Sequence, residues 1–290
     1  MTGAALPSQS QATPMPMAAD APIGIFDSGI GGLSVLRHVR VALPREKLLY
    51  FADSGYAPYG DKEEQQIVDR SLAVASFLVE AGIKALVVAC NTATAAAIQA
   101  IRQHWPQLIV VGIEPGLKPA AAQSRSKIVG VLATRSTLAS KRFVRLREQI
   151  AATNEVRFLS QACVGLVDQI EKGELQSAAT ARLVDQYVAP LVEQGADTLV
   201  LGCTHYPFVR ALIESAAHHA GLASPAIIDT GEAVTRQLQR LLEERSLGNT
   251  GAPMEALTAY TTASASTLDT IFASLLQIRP DIVEITGKTA

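Results

Sequence analysis

The sequence predicts an α/β protein of two related halves, each a parallel sheet flanked by helices. Three observations carry this. Short apolar runs alternate with turn clusters and helical stretches along the chain, the pattern of parallel strands with helices on both faces. Two distant segments, LVEAGIKALVVAC (78–90) and LVEQGADTLVLGC (191–203), align without a gap, as an internal repeat would. The composition is 48% hydrophobic but only 5% aromatic, so the core is built from Ala, Val, Leu and Ile, as in ordinary α/β proteins.

The elements follow in order. IGIF (23–26) is the first strand, DSGIGG (27–32) its turn and LSVLRHVRVAL (33–43) the helix after it. KLLYFAD (47–53) is a strand followed by the loop SGYAPYGDK (54–62). IVDRSLAVASFLVEAG (67–82) has helical spacing and leads into ALVVAC (85–90). LIVVGIEPG (108–116) and KIVGVLATRST (127–137) are two more strands with loops. VRFLSQAC (156–163), a helix-rich span to Gly195, DTLVLGC (197–203) and AIIDTG (226–231) complete the pattern. In each repeat copy a glycine follows the helix, where the left-handed C′ residue belongs.

Several function classes are excluded. Net charge is −2 with no Lys/Arg cluster, so no nucleic-acid surface is expected. No apolar run reaches the length of a membrane span. Cys90, Cys163 and Cys203 are odd in number and far apart, which argues against a disulfide framework and for a reducing, cytoplasmic setting. No pair of them has the spacing of a zinc knuckle or redox motif. Residues 1–20, MTGAALPSQSQATPMPMAAD, lack the basic and apolar regions of a secretory signal and are expected to be a disordered tail.

In open α/β sheets ligands sit beyond the carboxyl ends of the strands. The residues there are Asp27, Ser28, Asp53, Ser54, Cys90, Asn91, Glu114, Thr134, Cys203, Thr204, His205 and Asp229. Free cysteine is among the most buried residue types, so Cys90 alone reads as a core filler. Its repeat partner Cys203 and the polar residues after both, Asn91-Thr92 and Thr204-His205, favour chemistry instead. A helix begins after each cysteine, and its free N–H groups and dipole are expected to favour thiolate and to bind carboxylate. Two thiols facing a ligand from opposite sides suit removal of a proton from one face of a carbon and its return to the other. A thiol hydrolase would need one cysteine, a base and an oxyanion hole. A redox dithiol would need bonded sulfurs.

His205 is a candidate acid/base partner of Cys203, or a ring that only holds its loop. Asp27 is a candidate for orienting proton transfer or receiving an ammonium, or a turn-capping residue. GIGG lacks the Rossmann spacing and a Walker lysine, so its glycines serve a tight turn or close approach of backbone to an anion. The Tyr59-Gly60 loop offers backbone N–H groups to a carboxylate, or is a plain turn. Cys163 has no polar strand-end context and is read as structural.

At these residues the sequence resembles the glutamate racemases, cofactor-independent enzymes that make D-glutamate for bacterial peptidoglycan. The markers are GIFDSGIGGLSVL (24–36), YFADSGYAPYGDK (50–62), VACNTATA (88–95), GIEPGLKPA (112–120) and LGCTHYPF (201–208). The resemblance implies two flavodoxin-like domains with the active site between them, 21–115 rejoined by 231–290, and 116–230. It implies that Cys90 deprotonates D-glutamate and Cys203 L-glutamate, assisted by Asp27 and His205 respectively. Substrate contacts carry over to Asp27, Ser28, Tyr59, Gly60, Asn91, Thr92, Thr134, Thr204 and His205. A further carboxylate orienting His205 would fall at Asp168 or Glu171. Ala133, Ser136 and Val164 depart from residues frequent in the family, glycine, glycine and proline. No cofactor or metal is expected; preorganised N–H donors in a dry cleft would stabilise the carbanion-like charge. Homodimerisation is common in the family, and some members are regulated by a peptidoglycan precursor through an N-terminal extension. A racemase of aspartate or another amino acid, a non-catalytic module keeping the fold, and a redox-sensing dithiol are the competing readings.

Overall fold

The apolar runs become strands and the periodic stretches become helices. The computed structural model describes residues 18–253 and 256–285. Its first half runs β1 (Ile23–Asp27), α1 (Leu33–Ala42), β2 (Leu48–Ala52), α2 (Glu64–Glu80), β3 (Ala85–Val88), α3 (Asn91–His104) and β4 (Ile109–Gly112). After α4 (Leu117–Gln123) come β5 (Ile128–Ala133), α5 (Arg135–Ala139), α6 (Lys141–Asn154) and β6 (Arg157–Ala162). Then α7 (Leu166–Glu171), α8 (Ala178–Glu193), β7 (Thr198–Gly202), α9 (Arg210–His219) and β8 (Ala226–Ile228) complete the second half. The chain ends in α10 (Gly231–Glu244), β9 (Leu257–Thr261), α11 (Ala265–Leu276) and β10 (Asp281–Glu284).

Both sheets are parallel, in the orders β10-β9-β2-β1-β3-β4 and β6-β5-β7-β8. Every residue of β1, β3 and β7 is buried, as strands covered on both faces must be. Within the two sheets, β2-β1-β3-β4 and β6-β5-β7-β8 have the same order, so β3 and β7, the strands of the repeat, are equivalent. The caps agree with this: Gly82 and Gly195 have φ of +81° and +94°, left-handed values that glycine adopts freely. Register extends the match. The Asp53 N–H donates to the Asp27 carbonyl as the Cys163 N–H donates to that of Ala133, both at 3.0 Å. Cys163 is therefore the second half's counterpart of Asp53.

The C-terminal strands were not expected from the sequence. β9 pairs with β2 and β10 with β9, extending the first sheet after the chain has completed the second. LTAYT is short and mixed in polarity, and β10 is a half-exposed edge strand, so neither has the apolar run that marks a central strand. α10 packs on α1 and β4. Residues 1–17 of the expected tail lie outside the described residues. Its last residues, 18–20, form a turn in which the Ala21 N–H donates to the Ala18 carbonyl at 3.1 Å. Among the described residues no helix is long and apolar enough to cross a membrane.

One buried ion pair closes the base of the first sheet, opposite the strand ends of interest. Lys84 is wholly buried, its Nζ 2.5 Å from Glu46 Oε2, and it also donates to the Ala19 carbonyl. Glu46 Oε1 accepts the Asn249 N–H at 2.9 Å. The lysine thus joins the N-terminal turn, the β3 entrance and the loop after α10. Removing one partner strands a buried charge, whereas replacing both with apolar groups does not. In urea denaturation, Lys84→Met is expected to cost about 3–5 kcal/mol. The double variant Lys84→Met/Glu46→Leu is expected to recover most of that loss.

Candidate active site

The strand ends of the two halves face each other across a cleft. Ser28, Tyr59, Gly60, Cys90, Asn91 and Thr92 line it from the first half, and Thr134, Cys203, Thr204 and His205 from the second. Of the twelve strand-end residues singled out in the sequence, Asp27, Asp53, Ser54, Glu114 and Asp229 do not line it. Asp53 is wholly buried and accepts hydrogen bonds from Tyr59 Oη, Arg70 and Thr262. Glu114 ion-pairs with Arg142 at the surface, and Asp229 accepts the Gly231 N–H. Tyr59 therefore anchors its loop through the phenol and does not offer that hydroxyl to the cleft.

Cys90 caps α3: its Sγ accepts the Ala93 N–H at 3.4 Å and lies 3.4 Å from Ser28 Oγ. The helix end was expected to favour thiolate. The structure corrects this for Cys90. Burial pushes the thiol up to about 12 and the Asp27 charge adds to the rise; the bonds from Ser28 and Ala93 lower it only in part. Desolvation of the charged form outweighs one N–H donor.

Cys203 sits in a different setting. Its Sγ is 3.6 Å from His205 Nδ1, and His205 Nε2 is 2.6 Å from Glu171 Oε1. Burial disfavours the imidazolium, but the bonds to Cys203 and Glu171 outweigh it and hold the ring's pKa well above its ordinary value. Of the two carboxylates that the resemblance left open, it is Glu171 on α7 that reaches His205. Asp168 lines the cleft instead. The same Glu171 oxygen accepts the Ile30 N–H at 2.8 Å. Glu171 and His205 together explain Gly29 and Gly31 of DSGIGG. A Cβ at Gly29 would stand 2.0 Å from Glu171 Oε1, and one at Gly31 would stand 2.4 Å from His205 Nδ1. The loop is a backbone seat for an anion, and the anion is a side chain of the second half.

Asp27 does not line the cleft, although the sequence placed it among the substrate contacts. It is wholly buried, with Oδ1 accepting the Gly29 N–H at 2.9 Å and Oδ2 the Thr204 hydroxyl at 3.1 Å. Its neighbour Ser28 is the residue that touches the Cys90 sulfur. Burial raises the Asp27 pKa, against the opposing pull of the His205 cation and the Gly29 N–H. Asn91 is buried at the cleft wall, and neither atom of its amide has a partner. Such a group is costly unless a ligand completes it, and it offers both a donor and an acceptor.

Cys163, read as structural, also lines the cleft. Its missing signal is understandable: β6 is half-exposed, and QAC gives no polar strand end of the Cys-Asn or Cys-Thr kind. Burial pushes its thiol up to about 12. Asp61, Arg135, Gly165 and Val167, none of them marked in the sequence as site residues, also line the cleft, with Pro58, Val164 and Asp168. Among the described residues no group of three or more His, Cys, Asp or Glu side chains is arranged to hold a metal ion.

Comparison with known proteins agrees with the geometry. The sequence profile of the Asp/Glu/Hydantoin racemase family matches residues 30–259. A glutamate racemase of Ectopseudomonas mendocina (strain ymp) is 49% identical over 256 residues, covering 88% of this chain and 95% of that protein. Among solved structures, a glutamate racemase isoform of Bacillus anthracis superposes with a TM-score of 0.81 at 28% identity, over 91% of this chain and 97% of its own. A Francisella tularensis glutamate racemase in complex with D-glutamate superposes with a TM-score of 0.81 at 26% identity, over 94% of this chain and 100% of its own. With the family profile covering most of its length, and two thiols meeting across one cleft, the chain belongs to the Asp/Glu/Hydantoin racemase family.

Proposed function

We propose that this protein is a glutamate racemase that interconverts L- and D-glutamate by proton transfer at Cα between Cys90 and Cys203. The observation that carries the reading is that these thiols end equivalent strands, β3 and β7, and line one cleft from opposite halves. The names of the relatives, and the D-glutamate held by the Francisella tularensis enzyme, support glutamate as substrate.

With Cα between the sulfurs, the thiolate on one side takes the α-proton, and the C–H electron pair remains on carbon. The thiol on the other side then delivers its proton to the opposite face. The sulfurs exchange protonation states in each turnover and must be reset through solvent or the reverse reaction. The two sides are set up differently. On one, His205, oriented by Glu171, exchanges a proton with Cys203. On the other, Cys90 rests as a thiol because it is buried beside Asp27. A substrate ammonium arriving there opposes that penalty and favours the thiolate. The Asn91 amide and the N-terminal N–H groups of α3 suit the α-carboxylate and amine. No cofactor takes part in this scheme.

The same reading takes 21–115 with 231–290 and 116–230 as the two domains. The sheet that each strand joins supports the division. On the family resemblance, the product serves peptidoglycan synthesis in the cytoplasm and the enzyme acts as a homodimer.

Two experiments test this. In Cys90→Ser and Cys203→Ser, racemisation followed by circular dichroism is expected to fall at least about 100-fold in each single variant. Because enantiomers are equal in free energy, kcat/KM must fall equally in both directions. In heavy water, deuterium should appear at Cα of the product enantiomer while recovered substrate keeps its proton. Full activity in either variant refutes the two-thiol scheme, and turnover of aspartate but not glutamate refutes the substrate. The second experiment uses Glu171→Gln, whose kcat is expected to fall about 10-fold or more. The folded pKa of His205 lies above its unfolded value of about 6.5. That stabilisation is complete below the unfolded value and is lost as pH rises through the folded one. The variant's deficit in thermal stability should therefore be largest near about pH 5.5 and shrink with rising pH. A deficit that grows with pH contradicts the assignment.

A further inference from the structure

The two halves meet over the cleft through hydroxyls. Ser136 Oγ donates to the Gly60 carbonyl at 2.5 Å. Thr92 Oγ1 lies 3.0 Å from Thr134 Oγ1 and 3.3 Å from Thr137 Oγ1, and Thr134 Oγ1 donates to Thr137 Oγ1 at 2.9 Å. Gly60 and Thr92 belong to the first half; residues 134–137 belong to the second. The approach is close, since a Cβ at Gly60 would stand 3.1 Å from Thr134 Cβ.

We propose that Ser136, with Thr134 and Thr137, forms a clasp that holds the halves closed, and that Ser136 is a positioning residue for the Tyr59-Gly60 backbone at the cleft wall. The effect on substrate rests on the racemase reading; the clasp itself does not. Two anchors fix the loop from opposite sides. Tyr59 Oη ties it to Asp53 in the first half, and Ser136 ties the next residue's carbonyl to the second. The peptide unit is planar, so holding the Gly60 carbonyl also sets the direction of the following N–H.

The chemistry of the contact suits one that breaks and re-forms. A hydroxyl both donates and accepts, so each partner finds water when the halves part. Each such bond shifts the balance by only about 2- to 10-fold. An apolar seam of the same extent would resist opening, and an ion pair across it would compete with a charged amino acid. Thr134 is held independently by its own helix, where its Oγ1 accepts the Thr137 N–H at 3.2 Å. Loss of the Ser136 hydroxyl therefore leaves the α5 cap in place. If substrate is held only by the closed form, removing one bond of the clasp lowers the closed population and raises the apparent dissociation constant by the same factor.

The test is Ser136→Ala, measured in two ways beside wild type. In ligand-free protein, amide hydrogen exchange across 56–62 is expected to be about 2- to 10-fold faster in the variant. In the racemase assay, KM for both enantiomers should rise in proportion to the closed population lost while kcat stays within about 2-fold. Unchanged exchange overturns the clasp, whatever reaction the protein catalyses. Faster exchange with an unmoved KM, or a fall in kcat alone, overturns the positioning role. A wild type that racemises no glutamate sinks the racemase reading instead, and the exchange measurement still decides the clasp.

Discussion

The cleft depends on one shared carboxylate. Glu171 takes a backbone N–H from the first half and a ring nitrogen from the second with the same oxygen. An anion in a low-dielectric seam is stable only when it is paired and hydrogen-bonded, and here the two halves together supply those partners. The contact needs bare backbone, because any side chain at Gly29 or Gly31 would occupy the space of the carboxylate or the imidazole. One interaction thus joins the halves, adds to the rise in the His205 pKa that Cys203 begins and aims that ring at Cys203.

Symmetry in the backbone does not carry over into symmetry of environment. β3 and β7 deliver Cys90 and Cys203 to equivalent points, nearly equally buried at 5% and 6% exposure. Around Cys90 stand a hydroxyl, one helical N–H and the buried Asp27; beside Cys203 stands the His205 ring, its pKa held up by the bonds to Cys203 and Glu171. The first set penalises a thiolate, and the second sets a titratable ring beside the sulfur. Asp53 and Cys163, at register-equivalent positions, differ in setting as well. Asp53 anchors Tyr59 and Arg70, while Cys163 faces the cleft.

Much of the architecture was legible because buried parallel strands are apolar throughout. The strands from Ile23 to Ile228 and the C′ glycines at 82 and 195 all announce themselves locally. β9 and β10 do not. Leu257–Thr261 belongs to the first sheet only because β2 is there to pair with it, and that partner lies some two hundred residues back in the chain. The candidate site divides in the same way. Cys90 and Cys203 stood out by repetition, and Asn91, Thr92, Thr204 and His205 by following them. Asp27 was placed in the cleft by its strand-end position, but lies behind Ser28 and Thr204, where its two oxygens are already occupied.

By itself, then, the sequence determined the strands from Ile23 to Ile228, where each ends and which side chains those ends carry, since these follow from local apolarity, capping and the repeat. Tertiary structure decided which of these side chains meet. Only the docking of the halves selects Glu171 over Asp168 as the partner of His205, turns GIGG into a carboxylate seat, buries Cys90 enough to keep its proton and brings Ser136 to Gly60. Each of those outcomes depends on desolvation and on contacts between residues far apart in the chain, and neither has a local signature.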